Sequence, residues 1–75
     1  MPSERLIKAV LSNVDAWLLN LDEIFEHAIP GNKSRILHLK LNMLQAKVSF
    51  LRLVDAPPED VEAAMRQANR EWPEP

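Results

Sequence analysis

Two proline-containing breaks divide this chain into three segments in which apolar residues recur every three or four positions. Ile29-Pro30-Gly31-Asn32 forms the first break and Asp55-Ala56-Pro57-Pro58 forms the second. Apolar residues at this spacing line one face of an α-helix. The single glycine and the scarcity of β-branched residues also favour helix over sheet. We therefore predict an all-α fold, with a long antiparallel helical hairpin and a short third helix in one domain of residues 1–75.

The first predicted helix runs from about residue 3 to residue 28, with Ser3 as its N-cap. At 100° per residue, its apolar positions fall within one arc of about 140°, which is wider than a coiled-coil seam. Trp17 lies inside this arc, so we expect it in the core. Leu19 points away from the arc and is a candidate contact with another chain, although single exposed leucines are also normal on protein surfaces.

The second predicted helix runs from about residue 33 to residue 54, capped by Asn32 or Ser34. Gly31 is expected to take the positive φ that a tight reversal requires. The apolar residues of this helix form two stripes, and two stripes need two neighbouring helices. The first stripe is Ile36, Leu39, Met43, Ala46, Phe50 and Val54, and the second is Leu37, Leu41, Leu44, Val48 and Leu51.

The third predicted helix, about residues 58–72, presents a thin, alanine-rich stripe, and a frayed tail of residues 73–75 follows it. It is long enough to cover about three turns of the second helix. Either this helix covers the second stripe, giving a three-helix bundle, or a second copy of the chain does. We favour a homodimer that forms a helical bundle. Its candidate interface residues are Leu19, Leu37, Leu41, Leu44, Val48, Leu51 and Trp72, although Trp72 could equally seal the third helix onto the hairpin.

The charges predict how the hairpin is aligned. Residues 31–54 carry five bases and no acid, whereas residues 1–30 carry five acids and two bases. In an antiparallel hairpin that turns near residue 31, facing positions have numbers that add up to about 62. Asp22 then faces Lys40, and Asp15 faces Lys47. We predict both ion pairs at the margin of the apolar seam, where they set the register rather than the stability.

Candidate catalytic and metal-binding residues are few. There is no cysteine, and the two histidines, His27 and His38, fall on polar sides of their helices. Three acids near residue 60 suit a helix N-terminus and lack the spacing of a calcium loop. No nucleophile elbow or phosphate-binding loop is present. We therefore predict no enzymatic activity, no metal and no cofactor.

For the function of the chain, we predict a non-enzymatic protein–protein interaction module. Such a chain acts as a small regulator, inhibitor or adaptor that docks helix faces on a larger, unidentified protein. One alternative is a nucleic-acid-binding regulator that uses the basic second helix, which a pI of about 5.6 disfavours. Another is a helical assembly or chaperone subunit. No apolar run is long enough to span a membrane and no signal peptide is evident, so we expect a soluble, cytoplasmic protein.

Overall fold

A computed structural model describes residues 3–71 of the chain, and within them it contains three α-helices and no strand. α1 spans Glu4–His27, α2 spans Pro30–Leu53 and α3 spans Pro58–Glu71. α2 packs along both α1 and α3, and the fold is flat, with extents of 42 × 25 × 13 Å. The predicted all-α class is confirmed, and α1 and α2 form the predicted antiparallel hairpin. Trp72 and the tail at residues 73–75 lie outside the described residues.

α1 begins where the sequence predicts. Ser3 has an extended backbone, and its hydroxyl oxygen accepts a hydrogen bond from the Leu6 N–H at 3.3 Å. This bond satisfies one of the N–H groups that a helix start leaves without a partner. The helix ends at His27, and the following residue, Ala28, returns to an extended conformation.

The turn between α1 and α2 is tighter than predicted. α2 begins at Pro30, three residues before the predicted start, and Ile29 is its extended N-cap without a side-chain bond. Proline suits the first helical position because it has no N–H to leave unpaired and its φ is already helical. The prediction of a positive φ at Gly31 is wrong, since this glycine lies in the first turn of α2. Asn32 and Ser34 lie inside the helix and do not cap it.

The second turn uses a positive φ at an aspartate. α2 ends at Leu53, and Asp55 has a φ of 55°. The Ala56 N–H donates to the Leu51 carbonyl at 2.9 Å, and the Asp55 N–H donates to the Arg52 carbonyl at 3.2 Å. These two bonds form a Schellman motif, in which a left-handed residue turns the chain back over the helix end. α3 therefore returns antiparallel along α2.

The core lies between α2 and its two neighbours. Leu44 is fully buried, and it is flanked by other side chains of α2 that are at most 9% exposed. Val48 and Leu51 pack with Ala64 of α3, and the half-buried Leu11 of α1 joins this cluster. Small residues on α3 allow its backbone to lie close to α2. Within residues 3–70, the buried hydrophobic residues are Leu18, Leu21, Leu41, Leu44, Val48, Leu51, Val54 and Ala64.

Candidate functional site

The two ion pairs that the charge pattern predicts are both present. Lys40 Nζ donates to Asp22 Oδ1, and Lys47 Nζ donates to Asp15 Oδ1 at 3.1 Å. The lysine side chains are only 12% and 16% exposed, while the aspartates are more than half exposed. The lysines thus lie against the apolar seam with their ammonium groups directed to its margin. These pairs fix the axial register of α1 against α2.

α3 lies on the same side of the hairpin as these ion pairs. Lys47 also contacts the side-chain oxygen of Gln67 in α3, at 3.5 Å. A shallow cleft on this side is lined by residues of all three helices, including Leu11, Asp15, Leu51 and Ala64. α3 therefore packs along α2 on the side of the hairpin that carries the ion pairs, and an open cleft separates it from α1.

The second apolar stripe of α2 is buried within the single chain. Leu41, Leu44, Val48 and Leu51 are at most 9% exposed, and Leu37 is half-buried. We therefore assign these residues to the core of the single chain, and not to the interface between chains that the sequence predicted. The physical reason is that α1 and α3 approach α2 from adjacent sides, and the stripe lies between them. Trp72, the remaining interface candidate apart from Leu19, lies outside the described residues.

The exposed apolar surface lies on the opposite side of the hairpin from α3. On α1, four large side chains within an arc of about 40° are exposed by 39% to 58%. The prediction that Trp17 is in the core is wrong, because this side chain is 58% exposed. On α2, the first stripe is only partly covered, and Leu39 is 45% exposed. We call this surface the apolar face; it comprises Leu6, Val10, Trp17 and Ile24 of α1 and Ile36, Leu39, Met43, Ala46 and Phe50 of α2.

No charged residue falls within the apolar face. At 100° per residue, the α1 positions between Leu6 and Ile24 on this side include two polar residues, Asn13 and Asn20, and no acid or base. The corresponding arc of α2 between Ile36 and Phe50 has no polar residue at all. Contiguous exposed apolar surface of this kind is typical of a binding surface for another protein.

A signal for the apolar face was present in the sequence. The apolar arc of α1 spans about 140°; the buried side chains Leu18 and Leu21 lie towards α2, whereas Trp17 lies near the opposite edge of the arc. One neighbouring helix cannot cover so wide an arc. The width of the arc indicated that part of it, including Trp17, lies outside the seam.

Leu19 is the other large exposed side chain that the sequence singled out. It is 70% exposed and lies on the side of α1 away from the apolar face. Its neighbours on that side are mainly polar and acidic residues, among them Ser12, Asp22 and Glu26. Leu19 is therefore an isolated apolar residue and does not belong to the apolar face.

The polar residues that the structure describes form no cluster with evident chemistry. His27 and His38 are exposed on different helices, and within residues 3–71 no three histidine or acidic side chains are placed to hold a metal ion. Among the described helices, none is long and apolar enough to cross a membrane. The apolar face is thus the candidate functional site of the described structure.

Comparison of the chain with protein-family models, with curated proteins and with solved structures finds no significant match.

Proposed function

We infer that this chain is a non-enzymatic protein–protein interaction module, a small cytoplasmic regulator, inhibitor or adaptor that docks helix faces on other chains. The observation that carries this proposal is the apolar face, with Trp17 near its middle. Interface centres are depleted in charge and enriched in tryptophan and methionine, and the apolar face has both features.

The proposal includes the homodimer that the sequence predicts. Two copies close their apolar faces on one another to complete a helical bundle, and a larger protein docks on the same face in place of the second copy. A chain of 75 residues buries a limited fraction of its surface alone, and without cysteine it has no disulfide to compensate. Association through the apolar face supplies the missing burial.

The nucleic-acid alternative is weakened by where the basic side chains of α2 lie. Lys40 and Lys47 are paired with aspartates of α1, and Lys33 lies 5.2 Å from the ring centroid of Phe25. Arg52 contacts the sulfur of Met65 in α3. Four of the five basic residues of α2 therefore contact other helices of the same chain, rather than forming one open basic surface.

The docking proposal is tested with two matched glutamine variants. Trp17→Gln changes the apolar face, and Leu19→Gln changes an exposed apolar residue of the same helix outside it. Each variant and the unmodified chain are immobilised at equal density, and proteins retained from host lysate are quantified by mass spectrometry. We expect the same proteins to be retained by the unmodified chain and by Leu19→Gln, and to be lost with Trp17→Gln. Identical retention by all three proteins would contradict the proposal.

A further inference from the structure

The apolar face has dimensions that suit a complete dimer interface. α1 and α2 each contain 24 residues and are therefore about 36 Å long. Two helices packed about 10 Å apart present a surface about 20 Å wide, so this side of the hairpin covers roughly 700 Å², and the apolar face forms its central part. A standard interface takes about 800 Å² from each partner.

The pattern of the α1 stripe is nearly the same when it is read in either direction from Trp17. Val10 and Ile24 lie seven positions before and after it, and Asn13 and Asn20 lie four before and three after. In an interface with two-fold symmetry, residue i contacts residue j and residue j contacts residue i. An antiparallel pair of α1 helices centred on Trp17 meets this condition. Asn13 of one copy then lies opposite Asn20 of the other, and Val10 lies opposite Ile24.

The α2 stripe has the same spacing about Met43, with residues of different size at the paired positions. Ile36 and Phe50 lie seven positions before and after Met43, and Leu39 and Ala46 lie four before and three after. An antiparallel pair of α2 helices centred on Met43 therefore places a large side chain, Leu39, opposite a small one, Ala46. Such alternation of large and small side chains allows facing layers to interdigitate.

One axis can serve both helices. The ion pairs Asp22–Lys40 and Asp15–Lys47 bring to the same level residues whose numbers add up to 62. By this rule Met43 lies at the level of residue 19, two residues from Trp17 and so about 3 Å away along the helix. The centres of the two patterns therefore coincide to within less than one helical turn.

The shape of the surface supports the same arrangement. At the hairpin turn, an open cleft lies between α1 and α2 and is lined by Asn20, Glu23, Ile24, His27, Ala28, Asn32 and Ile36. The antiparallel pairing about Trp17 places Val10 of one copy opposite Ile24 of the other, and Leu6 opposite Ala28. Leu6 and Val10 are 53% and 39% exposed, so they are available to fill this cleft.

We propose that the occupant of the apolar face is a second copy of this chain, related by a two-fold axis perpendicular to the helices, so that α1 packs antiparallel on α1 of the other copy about Trp17 and α2 packs on α2 about Met43. The two hairpin turns lie at opposite ends of the resulting bundle of four helices. Each turn cleft is closed by the start of α1 from the second copy. This inference rests on the homodimer of the proposed function and specifies its arrangement.

The test uses engineered cysteines, for which the natural chain is a clean background because it contains none. Asn13→Cys is made in a chain with a purification tag, and Asn20→Cys in a chain without one. The two are mixed, allowed to exchange, and treated with a short bis-maleimide linker. The proposal predicts a cross-linked heterodimer at several times the yield of either homodimer. Residue 13 of one copy lies opposite residue 20 of the other, whereas two copies of residue 13 lie about 12 Å apart along the helix axis. Leu19→Cys, on the opposite side of α1, is the matched control and should give only background cross-linking.

Light scattering on the same mixtures separates the possible failures. A dimer without preferential linkage between residues 13 and 20 would overturn the antiparallel arrangement and leave the homodimer of the proposed function standing. Monomers at all concentrations would overturn the second copy as the occupant of the apolar face. Retention of other proteins through Trp17 would then still support the interaction module.

Discussion

Truncation of Leu44 should be among the most destabilising substitutions in this fold. The side chain is 0% exposed, and it lies where α2 packs against its neighbours. Leu44→Ala removes the favourable burial of its methyl groups and leaves a cavity that the surrounding helices fill only in part. Substitutions of this kind cost about 2–5 kcal/mol. A domain of this length has a total stability of about 4–11 kcal/mol, so a loss of about 3 kcal/mol is a large part of it.

The assay is thermal unfolding followed by circular dichroism, with all variants at one protein concentration because dimerisation makes the Tm concentration-dependent. A loss of about 3 kcal/mol corresponds to a decrease in Tm of about 12–24 °C for a domain of this size. Leu19→Ala is the matched control, since it makes the same chemical change on a residue that is 70% exposed. It should change the stability by less than about 0.5 kcal/mol. Equal effects of the two substitutions would refute the assignment of the core.

Three further substitutions test other parts of the fold by the same unfolding assay. Gly31→Ala should raise the stability by about 0.5–1 kcal/mol, because Gly31 is helical and an added Cβ meets no atom within 4 Å; a loss would indicate a left-handed turn there instead. Ser3→Ala should lower it by about 1 kcal/mol through loss of the N-cap bond, and a change below about 0.2 kcal/mol would argue against the cap. Asp15→Asn should lower it by about 0.5–1 kcal/mol in dilute buffer and by less in 1 M salt, and an effect that salt leaves unchanged would count against an ionic contribution.

The architecture could be predicted because several independent signals agreed. Helical periodicity defined the three segments, and the two breaks contained residues that end helices. The register followed from Asp15, Asp22, Lys40 and Lys47, because complementary charges repeat at the same interval of seven on both helices. Helix starts were less certain, because Pro30 could either follow a turn or begin a helix.

Which stripe of α2 is exposed could not be predicted. Periodicity gives the angle between the two stripes, but not the sides from which α1 and α3 approach. α3 lies against the second stripe, because Ala64 fits closely beside Val48 and Leu51. The first stripe was therefore left partly exposed, together with the side of α1 that carries Trp17. The choice depends on long-range packing that a helical projection does not contain.

Association of the apolar face with another chain, and first with a second copy, is measured by the molar mass in solution. Sedimentation equilibrium is run on the unmodified chain, Trp17→Gln and Leu19→Gln, at low micromolar and at tenfold higher concentration. We expect twice the 8.6 kDa chain mass for the unmodified chain and for Leu19→Gln, with a shift towards 8.6 kDa for Trp17→Gln. A mass of 8.6 kDa for the unmodified chain at both concentrations, or a dimer that Trp17→Gln leaves intact, would contradict this association.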